Sequence, residues 1–179
     1  MDPDAYLCQL AEIFNGISVH TPSLSAIIAI VLAGLLLLAS GFASASEIAF
    51  FSLSPSDLND IEEGNHPSDG KISNLLADSE RLLATILITN NFVNVTIIML
   101  CNFFFMNVFV FHSVLAEFLI LTVILTFLLL LFGEIMPKIY SAQKTLAFCR
   151  FSAPVIYVLR KVFAPISAVL VHSTAFLNK

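Results

Sequence analysis

Three groups of oxygen-bearing residues interrupt long apolar runs in this chain. Polar groups in such runs are costly and are candidates for function by default. The first lies in ASGFASASEIAFFS, where Ser40, Ser44 and Glu47 follow one another at offsets of four and three. Those offsets place all three on one helix face. Ala39, Gly41, Ala43 and Ala45 around them let another helix come close. Either serine alone would read as a packing residue bonded back to its own helix; a glutamate on the same face favours function.

The second group is ITNNFVNVT, in which Asn90, Asn91 and Asn94 fall within one sector of about 100° on a helix, with Thr89 and Thr96 nearby. A carboxamide in lipid needs a partner. Three on one side exceed what inter-helix bonding requires, and their oxygens suit a hard cation. The third is LFGEIMPKIY, where Glu134 ends a long apolar run. Pro137 has no N–H, so the carbonyl four residues earlier, that of Gly133, is expected to lose its helical partner. A carboxylate beside a free backbone oxygen is how broken helices present ligands to ions.

Together these supply hydroxyl, amide, carbonyl and carboxylate oxygen, without thiolate or imidazole. That set selects Mg²⁺, Ca²⁺ or Na⁺ over zinc, copper or iron. His20, His66, His112 and His172 fall in expected loops or the tail. Cys8, Cys101 and Cys149 are odd in number and far apart, so free thiols are expected. No His-Glu-x-x-His, no aspartate pair within a span and no serine with a membrane histidine supports an enzyme.

Composition says what positions these groups. Of 179 residues 58% are hydrophobic and 12% charged, against about 25% charged in a soluble domain. A net charge of −5 with eight Lys and Arg speaks against nucleic acid as a partner. The fold class expected is all-α integral membrane, with three transmembrane helices plus amphipathic juxtamembrane helices. Helix one is Leu24 to Phe51, helix two about Leu82 to Phe104, and helix three about Val114 to Met136, with a turn around Asn107 to His112. A short surface helix is expected from Lys71 to Ser79, in an otherwise polar connector broken by Pro and Gly. The domain reading is an extracytoplasmic segment 1–23, without the basic opening of a signal peptide, a membrane domain 24–136, and a surface belt 137–179. A fourth span over Pro154 to Val171 is disfavoured by Arg160 and Lys161; basic tail residues are expected to reach lipid phosphate. Lys71, Arg81 and the six basic residues of the tail share one side of a three-span protein. The positive-inside rule then puts the N-terminus out and the C-terminus in.

At these residues the sequence resembles the membrane domain of the CorC/CorB and cyclin M (CNNM) magnesium transporters, long labelled hemolysin-like. The likeness rests on S-G-F-A-S-A-S-E-I-A-F (Ser40 to Phe50), R-L-L-A-T-I-L-I-T-N-N-F-V-N-V (Arg81 to Val95) and F-G-E-I-M-P-K (Phe132 to Lys138). The N-terminal extension and the Phe-rich turn resemble a Bacteroidetes branch associated with gliding motility. The resemblance implies three spans, an amphipathic belt, a homodimer, cytoplasmic CBS domains beyond this stretch, and a bacterial cytoplasmic membrane. It implies Mg²⁺ export, with Na⁺ as exchange partner or competing ion. It implies an ion site of Ser40, Ser44, one Asn of the Asn90–Asn91 pair with Asn91 preferred, Glu134 and the Gly133 carbonyl. Ser46, Glu47, Asn90, Asn94, Pro137 and Lys138 would support these ligands. Ala45 departs from the Gly that relatives often carry there, which bears on a backbone contact. The rival expectation is a membrane scaffold or sensor, linked to CBS domains or gliding, that moves no ion.

Overall fold

Ser23 starts the first span by accepting the Ala26 N–H at 3.2 Å, a side-chain cap for a helix of otherwise apolar residues. A computed structural model describes residues 18–110 and 114–167. α1 runs Leu24–Phe51, α2 Pro55–Glu62, α3 Asp69–Leu76, α4 Ser79–Val108 and α5 Val114–Leu128. A π-helical segment follows at Leu129–Ile135, then α6 at Met136–Gln143 and α7 at Thr145–Val162. Three stretches are long and apolar enough to cross a membrane: Leu24–Phe51, Ser79–Val108 and Glu117–Gln143. The third passes through Pro137 and ends at Gln143, seven residues beyond the Met136 expected from sequence. The expected stop fails because Pro137 sits in the first turn of α6, where its missing N–H costs little.

At one end of the bundle β1 (Ser18–Val19) pairs antiparallel with β2 (Phe109–Val110). The His20 N–H also donates to the Val108 carbonyl at 2.8 Å. The expected turn around Asn107 to His112 begins later than anticipated, since α4 continues to Val108; residues 111–113, with His112, lie outside the described residues. So do residues 1–17 and 168–179, which include Cys8, His172 and the end of the disfavoured fourth span.

Two apolar clusters hold the molecule. Ala33, Val93, Ile97, Cys101 and Leu125 join the three spans. At the other end Ala49, Phe50, Ile61, Ile72, Leu75, Leu82, Ile86, Cys149, Ala153 and Ile156 unite the end of α1, the start of α4, α2, α3 and α7. Near water a buried Ile or Leu is worth about 1.5–3 kcal/mol, whereas spans in lipid lack that drive and rely on close contact. This second cluster therefore clamps the connector and tail onto the spans.

α7 presents Phe151, Val155, Val158 and Val162 outward at helical spacing. It buries Cys149, Ser152, Ala153 and Ile156 against the bundle. Burial pushes the Cys149 thiol up to about 12, so it stays a neutral apolar residue. Between α3 and α7, Asp69 is 1% exposed and receives Arg150 at two points, Nε to Oδ1 at 2.8 Å and Nη2 to Oδ2 at 3.1 Å. The His66 N–H adds a third bond at 2.9 Å. The Arg150 hydrogen bonds hold the Asp69 carboxyl below the ordinary carboxylate range, against the opposing effect of burial. Arg160 also donates to the Asn74 carbonyl at 3.0 Å.

Candidate ion site between the three spans

Ser40 lies at the centre of the bundle, fully buried. Its hydroxyl stands 2.8 Å from Asn90 Oδ1 and 2.6 Å from Asn94 Oδ1. One hydroxyl carries one proton, so three oxygens converge on a single hydrogen. Either one carboxamide is turned over to donate its N–H, or a positive charge completes the cluster. The third span meets this point at Gly133, where an added Cβ would lie 3.1 Å from Ser40 Oγ. One residue on, a Cβ at Gly41 would lie 2.9 Å from Pro137 Cγ and 3.2 Å from the Phe132 carbonyl oxygen. These two glycines let α1 and the π segment touch backbone to backbone.

Ser44, one turn along α1, is fully buried, and its hydroxyl has no hydrogen-bond partner. Buried hydroxyls are almost always paired, and the neighbouring serines follow that rule. Ser46 donates to the Phe42 carbonyl of its own helix at 2.7 Å. Ser141 of α6 donates across to the Ala45 carbonyl at 2.6 Å. Ser141 was not among the residues singled out from sequence, although it lies one turn past Pro137, on the end of the third span.

The π register changes which carbonyl is released. The Met136 N–H donates to Leu131 O, five residues back. On that pattern the amide missing at Pro137 would have served Phe132, so Phe132, not Gly133 alone, is left with a free backbone oxygen.

Two carboxylates stand at this level. Lys138 Nζ lies 3.2 Å from Glu134 Oε1 and 3.2 Å from Glu47 Oε2. The side chains are 28% exposed for Lys138, 26% for Glu47 and 44% for Glu134, so the trio sits at an edge of the bundle. Glu47 pairs with Lys138 through space, a link their distance in sequence hides.

The structure thus brings together Ser40, Asn90, Asn94 and Gly133, stacks Ser44, Gly41 and Pro137 beside them, and joins Glu47, Lys138 and Glu134. It does not bring in Asn91. That side chain is exposed and its Nδ2 donates to its own helix at the Leu87 carbonyl, 2.9 Å away. Asn90 and Asn94 lie about 40° apart on the helix, whereas Asn91 is turned a further 100° from Asn90. As placed, the carboxamides facing Ser40 are those of Asn90 and Asn94, not the preferred Asn91. Among the described residues no three His, Cys, Asp or Glu side chains gather as a metal cage. A cation here would rely on neutral oxygens, few carboxylates and retained water, as Mg²⁺ commonly does.

Residues 30–179 match the cyclin M transmembrane N-terminal domain. The chain belongs to the cyclin M (CNNM) transmembrane domain family. It is an integral membrane protein, and every candidate site residue falls in the matched stretch. The chain is also similar to a UPF0053 protein of Haemophilus influenzae, 32% identical over 130 residues, which cover 73% of this chain and 30% of that relative. The chain therefore spans less than a third of that relative's length.

Proposed function

We propose that this domain carries a divalent cation, Mg²⁺ first, across the membrane through the junction of α1, α4 and the π segment. The observation that supports it is the convergence of the Ser40 hydroxyl with Asn90 Oδ1 at 2.8 Å and Asn94 Oδ1 at 2.6 Å, with the unpartnered Ser44 hydroxyl one turn away. An oxygen-rich, half-buried cluster favours a cation by the same physics that penalises unpaired buried polar groups. Ser40, Ser44, Asn90 or Asn94, Glu134 and the Phe132–Gly133 carbonyls are the proposed ligands. Lys138, itself paired with Glu47, holds Glu134 when the cation is away. Family membership supports Mg²⁺ as the ion; export and Na⁺ exchange belong to the same proposal, as do a homodimer and CBS domains in a longer protein.

The test is reconstitution of the full-length protein in vesicles with an internal Mg²⁺ indicator. Flux should fall by at least roughly tenfold, the effect of about 1.4 kcal/mol, in Glu134→Ala and Ser44→Ala. Unchanged flux in both would overturn the assignment.

A further inference from the structure

A second polar feature lies between α4 and α5, toward the β1–β2 end. A half-open cavity of about 410 Å³ is lined there by Asn102, Glu117, Thr122 and Thr126, on walls otherwise made by residues such as Ile98 and Leu121. Several other hydroxyls and amides of α4 are satisfied by their own helix. Thr85, Thr89, Thr96 and Asn107 each donate to the carbonyl four residues before. Asn102, Thr122 and Thr126 make no such bond among the described residues, and all three are exposed. Within a bilayer such unpaired groups face protein or water, not acyl chains.

The cavity leads toward the proposed site. Glu117 stands in the first turn of α5, and the groove follows that helix to Leu129, about 18 Å along its axis. Leu125 and Leu129 also line a second, smaller cavity of about 200 Å³ with apolar walls, Leu37 among them. Leu37 lies 3.5 Å from where a Gly133 Cβ would be. A groove with four polar side chains on largely apolar walls, a smaller apolar cavity and the Ser40–Gly133 junction thus follow one another.

We infer that the α4–α5 groove is a water-filled cation vestibule, in which Glu117, Asn102, Thr122 and Thr126 hold a hydrated divalent cation at the end of the bundle away from the basic residues. One carboxylate with neutral oxygens suits a cation that keeps its water shell. The narrower apolar void beyond it separates this ion from the inner site until the helices move. This inference rests on the cation-transport reading for its meaning, but its readout does not require transport.

The experiment is thiol modification from outside in cells expressing the full-length protein, with Cys8, Cys101 and Cys149 replaced by Ala. Thr122→Cys and Thr126→Cys should react with membrane-impermeant methanethiosulfonates, roughly tenfold faster with the cationic than with the anionic reagent. Glu117→Gln should bring the two rates together. Val123→Cys, on the exposed apolar face, should stay inert. If the α5 variants fail to accumulate, Asn102→Cys on the facing wall gives the same reading. The inference is overturned if all three thiols resist both reagents, which would mean that lipid or a second copy fills the groove. It is also overturned if reagent preference persists in Glu117→Gln. A protein that labels as expected yet moves no Mg²⁺ would instead remove the transport reading.

Discussion

At the scale of single residues, close approach decides more than charge. Gly41→Ala would place a methyl 2.9 Å from the rigid Pro137 ring, and overpacking of this kind typically costs about 1–3 kcal/mol. A lowered melting temperature and lost Mg²⁺ flux are expected. Gly34→Ala, with nothing within 4 Å, should be neutral or slightly stabilising, since Ala is the better helix former. Equal melting temperatures for the two variants would refute the packing argument. Lys138 makes a second case. Its ammonium bridges Glu134 and Glu47 at 3.2 Å each, so an arriving cation competes with it for Glu134. Lys138→Met should raise Mg²⁺ affinity several-fold, because it removes a like charge from the cation's surroundings. The check is the Mg²⁺ concentration at half-maximal thermal stabilisation; no change would mean that Lys138 does not compete. Residue types and offsets in the sequence pointed to Ser40, Ser44 and Glu134, because a polar atom in an apolar run stands out. They could not choose between Asn90 and Asn91. Apolar residues of α4 flank both, so the pattern does not mark which of the two faces inward, and a 100° step separates a carboxamide in the junction from one outside it.

At the scale of elements, length and hydropathy made the spans legible, but not the hydrogen-bond register within them. Nothing in LLLFGEI marks a π segment, whose stability depends on contacts with α1. The connector held more order than its Pro and Gly residues implied. Ser54 accepts the Asp57 N–H while Asp57 accepts the Ser54 N–H, with Pro55 opening the helix. That capping box was readable as S-P-S-D, and an apolar face ending at Ile61 confirms what it starts. The Asp69–Arg150 clamp was not readable, as eighty-one residues separate its partners. It predicts a pH dependence with a definite sign. Arg150 lowers the Asp69 pKa in the folded protein. The resulting stability is therefore fully present above the unfolded carboxylate value, about 3.9, and is lost as pH falls through the lower folded value. Asp69→Asn should melt earlier than the parent at pH 7, and the gap should close progressively below about pH 4. A gap that stays constant down to pH 2 would show that the clamp's charge is irrelevant.

At the scale of the molecule, the two ends of the bundle differ in chemistry, and that difference fixes an orientation to test. One end gathers the connector helices and α7, tied by Asp69 to Arg150 and by Arg160 to the Asn74 carbonyl. Lys71, Arg81, Lys144 and Lys161 belong to the same end of the chain's path. The other end carries the β1–β2 ribbon and, among the described residues, no Lys or Arg. Basic residues resist translocation, so the helical end is expected in the cytoplasm and the ribbon outside. The stripe of Phe151, Val155, Val158 and Val162 is then expected in the inner leaflet, with α7 parallel to the membrane plane. In a background without native cysteines, His20→Cys should react with an impermeant thiol reagent applied to intact cells, and Ser56→Cys should not. In inverted vesicles the pattern should exchange. Ser56 sits on exposed α2, so its silence in intact cells would reflect sidedness and not burial. Reactivity of Ser56→Cys from outside would invert the molecule. It would also move the α4–α5 groove to the cytoplasmic face.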